Sequence, residues 1–432
     1  MSSFPAGSLR CCRCPSCSSP FDLSAAEYRR NGPARRGLRH VRDTPARGPT
    51  IAPRSPALRG MMHFMHVDAD LCGGSIVVTG HHGAEAELSL RADSAAGIRQ
   101  WFHFRVRGAR GRHVELTIHD AGEAMHPDAF HGYRALASYD LERWFRVPTH
   151  FDGRRLVLQH RPEHDTVHYS YFAAYPLDRL AALLSVVDRS PRARVLPIGA
   201  SVEGRPIHII VLGEEHPGKP RLWITGRQHP GETMGSWFVE GALVRLLAED
   251  DLVTDTLLHE AVVYVVPIVN PDGSTRGNFR TNAAGRDLNR EWQAPSDELS
   301  PEVASVRSAM EQAGVDLFLD VHGDEHADVA FAIGCAGNPG YSERLYELER
   351  RFTRSLARRD GGFSSELDYG ADDPGKGDLR IGNNWVGERF DCLSMTIEMP
   401  FKEGPSGFGP DRAAELGRSS LEAVLESLGA LR

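Results

Sequence analysis

From about residue 66 to residue 174 the chain alternates apolar and polar residues in short runs, the pattern of half-buried β-strands. Gly and Asp separate the runs, as at Gly80 and Asp120, and no helical periodicity lies between them. Short strands divided by turn residues predict a small antiparallel β-sandwich. We expect its strands at 75–79, 84–90, 101–106, 113–118, 156–159 and 167–172.

Beyond Pro176 the pattern changes to alternating strand and helix signals, beginning with apolar residues at helical spacing from Leu180 to Val187. This alternation predicts the α/β fold class, in which helices flank a sheet. Strands are expected at 207–212, 222–225, 261–269, 315–321 and 393–399, and helices at 232–248, 301–313, 340–358 and 412–428.

The first 60 residues have no hydrophobic periodicity and are rich in Arg, Pro, Ser and Gly, so we expect them to be disordered. They lack the apolar segment of a secretory signal, and a start of translation at Met61, Met62 or Met65 is an open alternative. We therefore divide the chain into a basic leader over 1–60, a sandwich domain over 61–174 and an α/β domain over 175–432.

Composition narrows the class of protein. The chain has 432 residues, of which 41% are hydrophobic and 25% charged, as in ordinary globular proteins. No apolar run approaches the roughly 20 residues of a membrane-spanning helix, which argues against a membrane partner. The leader holds 11 Arg and three acidic residues, so the net charge of −8 comes from an acidic body, which argues against nucleic-acid binding.

The seven cysteines do not form a disulfide framework, because four cluster within residues 11–17 and three stand alone. Cys14 and Cys17 are half of a zinc-ribbon pattern without a second pair. This usage favours a reducing, cytoplasmic location.

Metal-ligand residue types occur at the ends of two predicted strands. His229 and Glu232 stand three residues apart where the strand at 222–225 gives way to a helix, and His322 ends the strand at 315–321. Sites in α/β sheets form at the carboxyl ends of strands. Two His and one Glu are a ligand set of catalytic zinc, so we predict a zinc site of these three residues.

Two further features suggest chemistry. Residues 270–292 concentrate Asn, Arg and Gly, which fits either a solvated loop or a loop that binds a carboxylate through Arg. Glu398 is a single carboxylate in an apolar strand, and it either pairs with a buried cation or acts as a general base beside a metal-bound water.

Seven short motifs, in order, resemble those of the M14 metallocarboxypeptidases, and more narrowly the cytosolic carboxypeptidase subfamily with its bacterial members. They are HPGE, NPDG, GNFR, GRDLNREW, SPEV, DVHGDE and TIEMPF. The resemblance covers about residues 66–432, since WFHFRVRG and YSYFAAYP look like the sandwich domain of that subfamily. It implies a zinc carboxypeptidase-like mixed sheet flanked by helices and preceded by that sandwich.

The resemblance also implies roles for individual residues. His229, Glu232 and His322 would bind one Zn²⁺ per chain, and Glu398 would be the general base. Arg280 would polarise the scissile carbonyl and stabilise the oxyanion. Asn289 and Arg290 would hold the terminal carboxylate of a peptide or protein substrate.

Three assignments concern the rest of the substrate site. Tyr369, in a Gly- and Asp-rich stretch, is the candidate for the mobile tyrosine of the family. Lys376 and Arg380 are candidates for a basic side-chain pocket, because the eukaryotic members remove glutamate; solvated loop charges are the alternative. We therefore expect a zinc carboxypeptidase that removes a terminal residue, Glu or another acidic one, from cytoplasmic peptides or proteins.

Two other functions remain open at this point. A zinc deacylase or amidase of small N-acyl amino acids would share the metal motif. A peptide-binding module without turnover is the other, and it is disfavoured because every position of the zinc and base set is filled. The sequence leaves the oligomeric state undetermined.

Overall fold

The structure is a computed structural model that describes residues 65–370 and 373–431, and these residues belong to one compact unit. The predicted disordered leader over 1–60 and the alternative starts at Met61 and Met62 lie outside the described residues. The division of the chain at residue 174 stays a prediction. Among the described residues, no helix is long and apolar enough to cross a lipid bilayer.

The N-terminal part consists of two five-stranded sheets. Its strands are β1 (His66–Asp68), β2 (Val77–His82), β3 (Glu85–Ser89), β4 (His103–Arg107), β5 (Val114–Ile118), β6 (Leu136–Ser138), β7 (Trp144–Arg146), β8 (Thr149–Phe151), β9 (Leu156–His160) and β10 (Thr166–Ser170). One sheet has the order β1-β4-β10-β6-β7 and the other β2-β3-β5-β9-β8. The pairing is antiparallel except between β3 and β5, which are parallel.

The apolar alternation predicted from the sequence directs side chains into the space between these sheets. On β4, Phe104 and Val106 are buried, whereas the Arg105 side chain turns outward to Asp68 of β1, 2.8 Å away. Across the two sheets, Nδ1 of His160 on β9 lies 2.9 Å from the hydroxyl of Tyr169 on β10. Four strands that the sequence did not predict, β1, β6, β7 and β8, have three residues each, too few to display an alternation.

The C-terminal part is built on a seven-stranded mixed sheet, in agreement with the predicted fold class. Its strands are β11 (Ala193–Ala200), β12 (Pro206–Leu212), β13 (Arg221–Gly226), β14 (Val262–Val266), β15 (Leu317–Asp324), β16 (Phe331–Ile333) and β17 (Leu393–Pro400). Their order is β11-β12-β14-β13-β15-β17-β16. The four central strands are parallel, and the pairs at both edges are antiparallel.

Helices cover this sheet, and β14, β15 and β17 are buried along their whole length; the sequence of β14, VVYVV, is apolar throughout. The helices are α1 (Leu177–Val187), α2 (Met234–Leu246), α3 (Leu252–Glu260), α4 (Pro271–Arg276), α5 (Pro301–Ala313), α6 (Glu343–Arg359), α7 (Gly382–Phe390) and α8 (Pro410–Leu431). α2 and α8 pack closely enough that a Cβ added at Gly241 would lie 2.0 Å from the carbonyl oxygen of Ala414.

The strand register brings the predicted chemical residues to one edge of the sheet. His322 on β15 and Glu398 on β17 are direct partners in the parallel ladder. β13, on the other side of β15, ends at Gly226, and the segment with His229 and Glu232 follows it. Three neighbouring carboxyl ends therefore supply the residues of one site.

Candidate functional site

Three buried side chains, His229, Glu232 and His322, direct their donor atoms at one another. Nδ1 of His229 lies 2.6 Å from Oε1 of Glu232, and Nδ1 of His322 lies 2.8 Å from Oε2 of the same carboxylate. The two Nδ1 atoms are 3.2 Å apart. Two imidazole nitrogens and a carboxylate at this separation could hold one metal ion, and the set suits zinc.

The outer nitrogen of each histidine faces a carboxylate. Nε2 of His229 lies 2.9 Å from Oδ1 of Asp287, and Nε2 of His322 lies 3.0 Å from Oδ2 of Asp320. Such contacts orient the rings of metal-binding histidines and raise their basicity. The residues around the three donor side chains are therefore also arranged as they are around a bound metal ion.

Neither carboxylate was assigned a role from the sequence. Asp320 could have been found, because residues two apart on a strand such as Asp320 and His322 share a face. Asp287 gave no such signal, since 58 residues separate it from His229.

Opposite charges within the cluster shift the pKa values of its buried groups. Burial alone would raise the pKa of Glu232, but attraction by His229 and His322 outweighs burial and lowers it. Burial alone would lower the pKa of His322, whereas Asp320 and Glu232 hold it well above its ordinary value. For Asp287, the attraction of His229 and Arg280 overcomes burial and lowers the pKa. The carboxylates thus keep negative charge around a site suited to a cation.

The turn that carries His229 depends on close packing. Arg227 has a left-handed backbone with φ of 65°, and its buried guanidinium donates from Nε to the carbonyl of Pro230 at 2.6 Å. A Cβ added at Gly231 would lie 2.6 Å from the ring of Phe279. The turn can therefore approach the loop with Arg280 only because residue 231 is glycine.

Glu398 lies beside the metal-ligand candidates without an ion-pair partner. Its side chain is buried, and its Oε2 has no hydrogen-bond partner. Burial raises the pKa of Glu398 well above its ordinary value, although His322 acts in the opposite direction. Among the described residues, no Arg or Lys forms a salt bridge with it, which favours the proton-acceptor interpretation over a buried ion pair.

Arg280, Asn289 and Arg290 line the same cavity of about 610 Å³ as the metal-ligand candidates and Glu398. Nε of Arg280 donates to Oδ2 of Asp287 at 2.7 Å. Oδ1 of Asn289 accepts from the backbone N of Gly382 at 2.8 Å, and the Arg290 guanidinium donates to the Asn289 carbonyl at 2.7 Å. The loop over 270–292 is thus part of the cavity wall.

The remaining predicted residues differ in position. Tyr369 lines the cavity with its hydroxyl donating to Asp324, and it is 61% exposed. Lys376 and Arg380 are exposed and do not line the cavity, and the Arg380 guanidinium binds Asp378 at 2.8 Å. Two residues of the stretch around Tyr369, Ala371 and Asp372, lie outside the described residues.

The β-rich part also contributes to the site, although its sequence gave no candidate. Asp93 accepts hydrogen bonds from the backbone N of Phe279 at 2.5 Å and of Thr281 at 2.9 Å, on either side of Arg280. His126 lines the cavity. These contacts join residues more than 150 positions apart, so no local pattern indicates them.

Two family profiles match the chain. Residues 67–172 match the cytosolic carboxypeptidase N-terminal domain, and residues 180–416 match zinc carboxypeptidase. Among curated relatives, an uncharacterized protein of Zymomonas mobilis is 35% identical over 85% of this chain and 97% of its own length. Cytosolic carboxypeptidase 2 of Danio rerio is 29% identical over 60% of this chain. That match covers 41% of the Danio rerio protein, so this chain spans less than half of that relative's length.

Solved structures agree with these matches. A metallo-carboxypeptidase from Pseudomonas aeruginosa, in complex with (2-guanidinoethylmercapto)succinic acid, is 42% identical over 85% of this chain and all of its own, with a TM-score of 0.82. A metallo-carboxypeptidase from Burkholderia cenocepacia is 38% identical over 84% of this chain and 99% of its own, again with a TM-score of 0.82.

Proposed function

We propose that this chain, which belongs to the M14 zinc carboxypeptidase family and its cytosolic carboxypeptidase subfamily, removes single residues from the carboxyl ends of cytoplasmic peptides or proteins. The observation that carries the proposal is one cavity lined by a His, Glu, His cluster, an unpaired buried carboxylate and three arginines. Metallocarboxypeptidase activity is the activity of the family; the roles of the site residues and the substrate are proposed for this chain.

His229, Glu232 and His322 would hold one zinc ion per chain through two Nδ1 atoms and the carboxylate between them. When bound, zinc supplies Lewis acidity, which makes attack of water on a peptide carbonyl feasible at neutral pH. Asp287 and Asp320 orient the two imidazole rings from their outer side.

Glu398 is the proton acceptor of the proposed reaction. Its unpaired Oε2 can take a proton from the attacking water, and the carboxyl group then returns that proton to the leaving amine. Burial raises the pKa of Glu398, which increases its affinity for that proton.

Arg280 stabilises the negative charge that develops on the carbonyl oxygen. The guanidinium is largely buried and anchored through Nε on Asp287, so it needs little reorganisation during the reaction. Arg290 and Asn289 would hold the terminal carboxylate, which the fork of Arg can bind through both oxygens. Tyr369 would close over the terminal residue.

We propose an acidic terminal residue, with Arg350 of α6 as the cation that selects it. Arg350 lines the cavity, unlike Lys376 and Arg380, whose assigned roles remain predictions. The competing preference is basic, because the half-buried Glu349 also lines the cavity and the ligand of the Pseudomonas aeruginosa relative carries a guanidino group. Arg350→Gln should lower the rate on peptides ending in Glu, and Glu349→Gln should leave that rate unchanged.

A peptide panel tests the proposal. Zinc content is measured on the purified chain, and release of single amino acids is then followed from peptides ending in Glu, Asp, Lys, Arg, Phe or Ala. Free Glu or Asp, abolished by a chelator and restored by zinc, is the expected result. Release of Lys or Arg alone would keep the carboxypeptidase and overturn the acidic preference.

The same sample separates the alternative enzyme. One zinc per chain with no residue released from any peptide, but with hydrolysis of small N-acyl amino acids, would make the chain a deacylase or amidase. Stoichiometric zinc without either activity would indicate a binding module, and the absence of zinc would contradict the site itself.

A further inference from the structure

A second group of potential ligands, His126, Glu325 and His326, lines the cavity beside the His229 cluster and shares no residue with it. One ligand atom from each residue lies within 4.8 Å of the others. Nε2 of His126 is 4.0 Å from Oε2 of Glu325, and the rings of His126 and His326 are 5.5 Å apart and nearly perpendicular. His126 belongs to the β-rich part, and the other two follow β15.

The backbone of His126 is held in place from the core. Its N donates to Oε1 of Gln100 at 2.9 Å, and its carbonyl accepts from Nε2 of the same side chain at 3.4 Å. Gln100 is fully buried and also donates to the hydroxyl of Tyr171. Pro127, the next residue, fixes the backbone on the other side. The imidazole is therefore presented to the cavity from a fixed backbone.

Glu325 is the residue that most directly indicates a ligand. Its side chain is buried, and its Oε1 has no hydrogen-bond partner. Burial raises the pKa of Glu325 to about 8, and repulsion by Glu232 adds to the effect. A buried polar atom without a partner is uncommon in folded proteins and costs free energy unless an ion or water satisfies it.

His326 completes the group from a constrained turn. Its backbone N donates to Oδ1 of Asp324 at 2.8 Å, and its residue is exposed. One buried carboxylate, one half-buried imidazole and one exposed imidazole surround a point that solvent can reach. The site is thus more open than the buried His229 cluster.

We propose that His126, Glu325 and His326 bind a second divalent metal ion, of the zinc type, at the edge of the active-site cavity. Two imidazoles and one carboxylate suit zinc, whereas magnesium and calcium prefer oxygen ligands only. An exposed ligand and wider spacing make the second site weaker than the first. The ion would also connect the β-rich part to the α/β part, because its ligands come from both.

Metal stoichiometry of the purified full chain tests this inference. The chain is dialysed against rising concentrations of free zinc, and bound zinc is counted by elemental analysis. We expect one zinc retained at low free zinc and a second bound at higher concentration. The second binding step is counted separately from the first, so its failure leaves the proposed carboxypeptidase site untouched.

Three variants assign the second step to these residues. His126→Ala and Glu325→Gln should lose the second equivalent and keep the first, and Glu325→Gln preserves the shape of the buried side chain. His150→Ala, an exposed histidine on β8, should keep both equivalents. Cobalt in place of zinc gives a second readout, since its visible absorption changes with the coordination geometry of the ion bound in the second step.

Two outcomes would overturn the inference. Binding that saturates at one zinc per chain would show that no second site exists. A second equivalent that persists in both His126→Ala and Glu325→Gln would place the metal elsewhere on the chain. Thermal melting of each variant in the presence of one zinc identifies a loss of binding caused by unfolding. If His126→Ala does not fold, the zinc stoichiometry of Glu325→Gln decides the question.

Discussion

Asp93 and Arg280 are joined across 187 residues of sequence by a hydrogen bond from the backbone N of Arg280 to Oδ2 of Asp93, at 2.9 Å. The same carboxylate receives the backbone N of Phe279 and both the backbone N and hydroxyl of Thr281. Asp93 comes from the β-rich part and Arg280 from the loop that lines the active-site cavity. The first part of the chain therefore sets the backbone from which the Arg280 guanidinium extends.

Asp93→Asn should lower kcat without removing zinc. An amide has one acceptor oxygen in place of two, so at least one buried backbone N–H loses its partner, at a cost of about 1–3 kcal/mol. We expect the loop to shift and kcat to fall by about tenfold or more, because a small misplacement of a catalytic group is costly. Steady-state kinetics and zinc content on the same sample measure both effects.

Asp70→Asn is the matched control, since Asp70 is an exposed carboxylate of the same β-rich part. It should behave as wild type. A variant at Asp93 with unchanged kcat and an unchanged melting temperature would show that the carboxylate does not position the loop.

Asp287→Asn and Asp320→Asn should separate two roles of the carboxylates around the proposed metal site. Asp287 contacts both His229 and Arg280, whereas Asp320 contacts His322 and the hydroxyl of Thr225. Loss of such a partner typically weakens metal binding by about 10–100-fold, so both variants should bind zinc less tightly. At saturating zinc only Asp287→Asn should retain a large defect in kcat, because only it also releases Arg280.

Zinc affinity by competition with a chelator, followed by kinetics at saturating zinc, tests this difference. Equal kcat values for the two variants under those conditions would mean that the contact between Asp287 and Arg280 has no catalytic consequence.

The long buried strands were predictable from their short apolar runs and the amphipathic helices from their periodicity; α5 has the bounds expected from the sequence. α7 was not expected, since its first three residues are Gly, Asn and Asn, poor helix formers that packing stabilises. For the site, the residue types His229, Glu232, His322 and Glu398 were recognisable because strand ends gather at one edge of a sheet.

Three other residues around the cavity were not recognisable from the sequence. Asp93, His126 and Asp287 act through contacts between distant segments, and no local pattern encodes such contacts. Lys376 and Arg380 were chosen because they are positively charged and precede Glu398 in the sequence. The charge of a loop residue does not show whether its side chain points into the cavity or into solvent. Arg380 lies at the surface, in an ion pair with Asp378 two residues away.

Glu398→Gln should retain zinc and lose most turnover. The substitution keeps the size of the side chain and removes no proposed ligand, but an amide cannot accept the proton of the attacking water. General-base catalysis contributes about 10²–10⁴-fold, and kcat should fall by that order. Elemental analysis should give the wild-type zinc content. A wild-type rate in this variant would assign the base to another group.

Arg290→Ala should raise KM for peptides with a free terminal carboxylate far more than for the same peptides with an amidated end. A hydrogen bond to a charged group is worth about 1.5–3 kcal/mol, which corresponds to about 10–100-fold in KM. Arg286→Ala is the matched control, because Arg286 lies in the same loop but its guanidinium pairs with Glu291 at 2.7 Å. Peptide pairs that differ only in the terminal group, assayed with both variants, isolate recognition of the carboxylate. Equal increases in KM for free and amidated ends would mean that Arg290 does not bind the terminal carboxylate. The deacylase alternative would then be favoured.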